Sequence, residues 1–245
     1  MVGKVALVTG ASGGLGAHFA AVLAGAGAEV IIGARRREAL VGIAEAIVNQ
    51  GGQCTAVALD VTSAHSIAAM GPLLERVDIL VNNAGIVRDR PALDQTEADW
   101  DAVIDTNLKG MFLMSQAVAN ALRARGAGGS IINIASILGL RQAGGILPYA
   151  VSKSGTIQMT KTLALELARF GVRVNALAPG YFDTELNSAF WVSDAGKAML
   201  RRIPQRRLGR LEDLDGPLLL LASDLSAYMT GAVIEVDGGH LVSTL

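Results

Sequence analysis

Short apolar runs rich in β-branched residues alternate along this chain with longer segments in which apolar positions recur at helical spacing. The runs at 4–9, 29–33, 55–59, 78–81, 130–135, 173–178 and 232–236 predict strands. The segments at 14–26, 37–50, 63–74, 97–125, 148–170 and 212–222 predict helices. The strand runs are apolar throughout rather than alternating, as expected of strands covered on both faces. Regular β/α alternation with short connections predicts an α/β fold, a parallel sheet with helices on either side. No Pro- or Gly-rich linker divides the chain and no internal repeat is present, so residues 1–245 are expected to form one domain. The longest irregular stretch is 179–211, where Tyr181, Phe182, Leu186, Phe190 and Trp191 give an apolar character. The part from 181 to 211 is expected to act as a lid over a substrate.

Composition narrows the picture. Hydrophobic residues make up 51% of the chain, which buried parallel strands explain. The formal net charge of −1 gives no reason to expect nucleic acid or an anionic membrane as a partner. Cys54 is the one cysteine, so no internal disulfide forms and a reducing, cytoplasmic location is expected. Met1-Val2-Gly3-Lys4 runs straight into a strand, without the pattern of a signal peptide. The apolar stretch 17–33 contains His18, Gly25, Gly27 and Glu29, and reads as helix, turn and strand rather than a membrane span.

Thr9-Gly10-Ala11-Ser12-Gly13-Gly14-Leu15-Gly16 links the first strand to the first helix. Gly10, Gly14 and Gly16 remove side chains that would block a tight turn, a close pyrophosphate or close helix–strand packing. The helix N-terminus would face phosphates with free N–H groups. Glycines also serve plain turns, but this placement, after a strand and before a helix and a second strand, predicts dinucleotide binding. The second strand runs out through Ala34, Arg35 and Arg36. An acid here would accept hydrogen bonds from a ribose diol, whereas an arginine accommodates a 2′-phosphate, so NADP(H) is expected over NAD(H). The alternative is a solvated start to the next helix, and Gly13 supplies no second basic group to the phosphate.

Tyr149 and Lys153 stand one helical turn apart and would emerge on one face. An ammonium beside a phenol favours the phenolate, so such a pair can exchange a proton with an oxygen near neutral pH. The same spacing occurs on solvated helix faces; Ser136 at the end of an apolar run and the glycine loop tip the balance towards chemistry.

These residues resemble the short-chain dehydrogenase/reductase family over essentially the whole chain, in its compact, 3-oxoacyl-reductase-like subgroup. The matching motifs are Thr9 to Gly16, Asp60-Val61, Asn82-Asn83-Ala84-Gly85, Asn107, Ser136, Tyr149 with Lys153, and Pro179-Gly180. The resemblance implies a Rossmann-type three-layer α/β/α fold with a seven-stranded parallel sheet, usually in a homotetramer, and hydride transfer between a nicotinamide and a carbonyl or alcohol. It implies that Tyr149 is the general acid or base, that Lys153 lowers its pKa and holds the nicotinamide ribose, and that Ser136 donates to the substrate oxygen. Asn107 would hold a water linking Lys153 to solvent. For the cofactor it implies contacts from Gly10, Ser12, Gly14, Leu15, Gly16, Arg35, Arg36, Asp60, Val61, Asn83, Ala84, Gly85, Tyr149, Lys153, Pro179, Gly180, Phe182 and Thr184. Asp60 would accept from the adenine amino group.

Other residues carry weaker signals. His18 is expected to be packed or solvated, and Cys54 a small buried hydrophobe. His65 and His240 have no partners at metal-ligand spacing, so no metal is expected. Arg201, Arg202, Arg206, Arg207 and Arg210 read as a solvated face or as a docking surface for an acidic carrier or coenzyme A. The expected substrate is a small carbonyl/alcohol pair. A 3-oxoacyl thioester on an acyl carrier protein or coenzyme A is the narrower alternative, and a catalytically silent dinucleotide sensor the alternative of another class. Retention of Tyr149 and Lys153 speaks against a silent sensor; the glycine loop and Lys153 speak against a dehalogenase offshoot of the fold. The segments 137–147 and 181–203 are expected to line the substrate pocket, with Arg141 and Gln142 the strongly polar candidates in the first.

Overall fold

The computed structural model describes residues 1–182, 191 and 193–243. Its strands are β1 (Val5–Thr9), β2 (Glu29–Ala34), β3 (Gln53–Ala58), β4 (Ile79–Asn82), β5 (Gly129–Ile134), β6 (Val172–Pro179) and β7 (Val233–Val236). They form one parallel sheet in the order β3-β2-β1-β4-β5-β6-β7. The chain winds outwards from β1 to one edge, then returns and winds from β4 to the other. The carboxyl ends of β1 and β4 therefore diverge at a topological switch point, where this class of sheet places its ligands.

Strands β1, β4 and β5 are buried because both faces are covered. Val8, Ile32 and Val81 pack on one side with Phe19 and Leu23. Leu7, Ile31 and Leu80 pack on the other with Met114 and Leu122. The edge strand β3 is only partly buried, since helices cover a sheet edge less fully.

The helices are α1 (Gly14–Gly25), α2 (Glu38–Asn49), α3 (Ala64–Ala68), α4 (Gly71–Leu74), α5 (Glu97–Ile104), α6 (Gly110–Arg125), α7 (Leu147–Leu167), α8 (Asp194–Leu200) and α9 (Asp215–Ala222). The single helix expected over 63–74 is two. Pro72 has no N–H and clashes with the preceding turn, so the chain restarts at Gly71. The expected helix over 97–125 runs as α5 and α6 joined through one π-helical turn, Asp105–Lys109. Thr96 opens α5 with a reciprocal cap, its hydroxyl accepting from Asp99 N at 3.1 Å. The stretch 179–211 is not wholly irregular. It contains α8, capped by Ser193 Oγ accepting from Gly196 N at 3.1 Å. Leu186, Phe190 and Thr184 lie outside the described residues. Among the described residues no helix is long and apolar enough to cross a membrane.

Candidate active site

The glycine loop at the end of β1 is tied to the end of β4. Thr9 Oγ1 accepts from Asn83 N and Ala84 N, both at 3.1 Å. Asn83 Nδ2 donates to Thr9 O at 3.1 Å and Gly10 O at 3.0 Å. Asn83 thus braces the loop with its side chain rather than pointing it at a ligand. Gly10 has φ +65°, and a Cβ there would lie 2.6 Å from Ala84 Cα. A Cβ on Gly16 would strike the Gly10 carbonyl. Gly13 and Gly14 instead face open space, and no side chain caps the first N–H groups of α1. Ser12 is exposed beside them, and Leu15 half-buried.

An uncapped helix start behind an open, side-chain-free turn fits a dinucleotide pyrophosphate. Arg35 and Arg36 are exposed at the end of β2 and make no ion pair with a described residue. Asp60, past β3, accepts from Thr62 N at 2.9 Å and Thr62 Oγ1 at 2.8 Å through Oδ1 alone, which leaves Oδ2 for a ligand amino group. Val61 is buried, its side chain beside Gly110. Gly85 lies close to Asn107. At the end of β6, Gly180 allows the backbone to meet Asp237. Pro179 and Phe182 are buried, with the Phe182 ring packed on Gly209.

Ser136, Tyr149 and Lys153 come together beyond the end of β5. Ser136 is 6% exposed, and its Oγ accepts from Leu138 N at 3.1 Å, fixing a short turn over Ile137–Gly139. A Cβ on Gly139 would lie 2.7 Å from the Lys153 backbone, so that turn can rest directly on α7 only as glycine. Lys153 is 4% exposed, and its Nζ donates to Ile134 O at 2.6 Å. Nζ stands 5.5 Å from the centre of the Tyr149 ring.

One expectation is corrected here. Burial pushes the Tyr149 phenol above its ordinary value; hydrogen bonding with Ser136 pulls it down and Tyr181 adds to the rise. Burial brings Lys153 itself down to about 8, which still leaves its ammonium mostly charged at neutral pH.

Asn107 is fully buried in the π-helical turn. Its Oδ1 accepts from Ile86 N at 2.8 Å, and its Nδ2 donates to Ile86 O at 2.9 Å and Ser152 Oγ at 3.2 Å. Its side chain is thereby committed elsewhere than to Lys153. Ser152, which the sequence motifs pass over, also donates to Tyr149 O at 2.7 Å. It couples Asn107 to the backbone of the tyrosine. The signal available was a small polar residue between Tyr149 and Lys153 on a buried helix face.

Among the remaining candidates, His18 is neither free nor simply packed: its Nε2 lies 2.6 Å from Asp215 Oδ1, joining α1 to α9. Cys54 is half-buried, and burial pushes its thiol up to about 11. Arg207 pairs with Asp213 at 2.5 Å, which removes it from the basic stretch as a free charge.

Such a fold and site define a dinucleotide-dependent oxidoreductase of the doubly wound α/β class. A family model described as enoyl-(acyl carrier protein) reductase matches residues 10–240. The chain is 40% identical over 244 residues to a 3-oxoacyl-(acyl-carrier-protein) reductase of Thermotoga maritima, covering 98% of each chain. It is 41% identical over 247 residues to a 2-dehydro-3-deoxy-D-gluconate 5-dehydrogenase of Escherichia coli, covering 98% of this chain and 96% of that one. A crystal structure of a gluconate 5-dehydrogenase from Burkholderia cenocepacia, in complex with NADP and tartrate, superposes with a TM-score of 0.95 at 37% identity, over 100% of this chain and 97% of that one. The chain belongs to the short-chain dehydrogenase/reductase family, and it is an oxidoreductase.

Proposed function

We propose that the chain transfers hydride between NADP(H) and a small carbonyl/secondary alcohol pair. The observation that carries this is the convergence of Ser136, Tyr149 and Lys153 at the carboxyl ends of β4 to β6, beside an open glycine loop. The cofactor, when bound, supplies or accepts the hydride. Ser136 holds the substrate oxygen by donating a hydrogen bond. Tyr149, kept protonated by burial, gives its proton to that oxygen in reduction and takes it back in oxidation. Lys153 supplies charge beneath the phenol and holds the ribose. Asn107 and Ser152 fix the backbone around the pair. Gly10, Ser12, Gly14, Leu15 and Gly16 cradle the pyrophosphate, with Asn83, Ala84 and Gly85 along the path to the nicotinamide. Asp60 and the Val61 backbone hold the adenine, Arg35 and Arg36 the 2′-phosphate, and Pro179, Gly180 and Phe182 the nicotinamide side.

The partner is a small molecule, and we infer a homotetramer acting in the cytoplasm. The test is direct: NADPH and NADH oxidation followed by absorbance over a panel of ketones, keto acids and 3-oxoacyl thioesters. Turnover with NADPH on any of them supports the proposal; none on all, with cofactor bound, defeats it.

A further inference from the structure

Arg141 follows the turn that carries Ser136 and has no part in the chemistry so far. It is half-buried, and its Nη1 donates to the His240 carbonyl and, at 3.2 Å, to Ser243 Oγ. Among the described residues it has no other hydrogen bond and no acid paired with it, so its Nε and Nη2 remain open donors. A guanidinium held through one nitrogen is positioned, and a partly desolvated cation without a counter-ion is costly unless something anionic arrives.

Its neighbours belong to the catalytic corner. The His240 ring lies 5.5 Å from the Tyr181 ring, and Tyr181 meets Trp191 edge-on at 5.3 Å. Tyr181 stands near enough to Tyr149 to raise its pKa, while Arg141 and Arg202 both pull on Tyr181 in the other direction. His240 is 4% exposed, and its Nδ1 finds no partner among the described residues. Burial and the same two arginines keep that ring neutral. Among the described residues the acid in the corner is Asp237, and its oxygens are taken by Gly239 N at 2.8 Å and Leu241 N at 2.7 Å. Among the described residues, what remains is the Arg141 guanidinium, the exposed Arg202 and an unpartnered buried ring nitrogen on His240, connected to the reacting phenol through Tyr181.

We propose that this corner reads a carboxylate on the substrate: the open edge of Arg141 binds the carboxylate of a keto or hydroxy acid whose reacting oxygen sits on Ser136 and Tyr149. The fork of two N–H donors matches the two carboxylate oxygens, and the neutral His240 Nδ1 suits a hydroxyl beside it. The inference rests on Ser136 and Tyr149 being the pair that holds the carbonyl, and its test separates the two.

Short keto acids are assayed beside their neutral amides and beside phosphate esters of the matching ketones. Turnover of the amides alone establishes the carbonyl chemistry, whatever becomes of Arg141. The acid is expected to exceed its amide in kcat/KM by about ten- to a hundredfold, as loss of one charge-assisted contact would predict. In Arg141→Met that ratio is expected to collapse, chiefly through KM for the acid, and Arg141→Lys is expected to restore part of it. Amides used as well as acids overturn the proposal. So does a phosphate ester preferred over the acid, or an Arg141→Met variant that lowers acid and amide alike, which would make Arg141 only an anchor for the 240–243 turn.

Discussion

Lys153 lies under the Tyr149 ring with Nζ 5.5 Å from its centre, yet gives its hydrogen bond to the carbonyl of Ile134 at 2.6 Å. The lysine is thus anchored to the sheet, and the phenol above it stays protonated. A tyrosine poised as an acid is what carbonyl reduction needs. Tyr149→Phe is therefore expected to lower kcat by at least about 10² to 10⁴, the usual worth of general acid catalysis. NADPH affinity should change only a few-fold by fluorescence titration. Near-normal turnover would remove Tyr149 from the chemistry.

Lys153 has a consequence for stability. Its folded pKa, about 8, lies below the ordinary 10.5 because burial penalises the charged form. Between these values the unfolded chain binds more protons than the folded one, so this residue makes stability rise with pH across that window. At lower pH its cost is constant, about 3 kcal/mol at most. Wild type is expected to gain stability relative to Lys153→Met as pH rises from about 8 to about 10. Urea unfolding of both proteins at a series of pH values checks this. A constant difference would mean that the lysine stays fully charged when folded.

The alternation of apolar runs with helical segments was enough to read the sheet, because burial on both faces leaves a pattern of its own in β1, β4 and β5. It also anticipated where the candidate site residues lie, since Ser136 and the glycine loop follow strand ends and Tyr149 is on the helix after β5. What it missed depends on tertiary contact. The Pro72 break was written in the chain but outweighed in the reading by apolar periodicity. The π-helical turn at Asn107 and its hydrogen bonds with Ile86 and Ser152 have no local signature, because those partners are brought to it by packing. The direction of the Tyr149 shift also escaped. Spacing shows that a lysine is near, not how deeply both groups are buried.

Two glycines of the phosphate loop should respond differently to alanine. Gly10 has φ +65°, and a Cβ there would press on Ala84 at 2.6 Å. Gly10→Ala is expected to cost roughly 2 kcal/mol or more from strain and overpacking. Gly13 has open space around it, and Gly13→Ala should stay within about 0.5 kcal/mol of wild type. Thermal unfolding of the pair gives the answer; equal losses would contradict the close contact between the loop and β4.

Assembly is expected from apolar side chains left exposed on α5, α6 and α7. Trp100 is 37% exposed, Phe112 40%, Val151 39% and Leu165 82%. Exposed apolar residues on adjacent helices are the material of an interface. Light scattering is expected to give four chains per particle at micromolar concentration, and Phe112→Asp to shift the population to smaller species. A wild-type monomer under those conditions would refute the shared interface.

Cofactor choice is the most exposed of these expectations, because it turns on side chains in solvent. Arg35 and Arg36 stand at the end of β2 without an acidic partner among the described residues, open to a 2′-phosphate. A hydrogen bond to a charged group contributes on the order of 1.5–3 kcal/mol, about ten- to a hundredfold in preference. Solvent screening, and the absence of a basic side chain at Gly13, place the expected preference for NADPH over NADH near the lower end. Arg35→Ala is expected to erase most of it, with Arg36→Ala a smaller effect. Placing a carboxylate at Ala34 is a poorer test than it looks from sequence. Ala34 is 8% exposed and packs in the core, so Ala34→Asp would add a desolvation cost to any change in specificity. The arginine variants leave the core alone, and kcat/KM for both cofactors reads their effect directly. A wild-type enzyme indifferent to the 2′-phosphate would reduce Arg35 and Arg36 to the solvated start of α2.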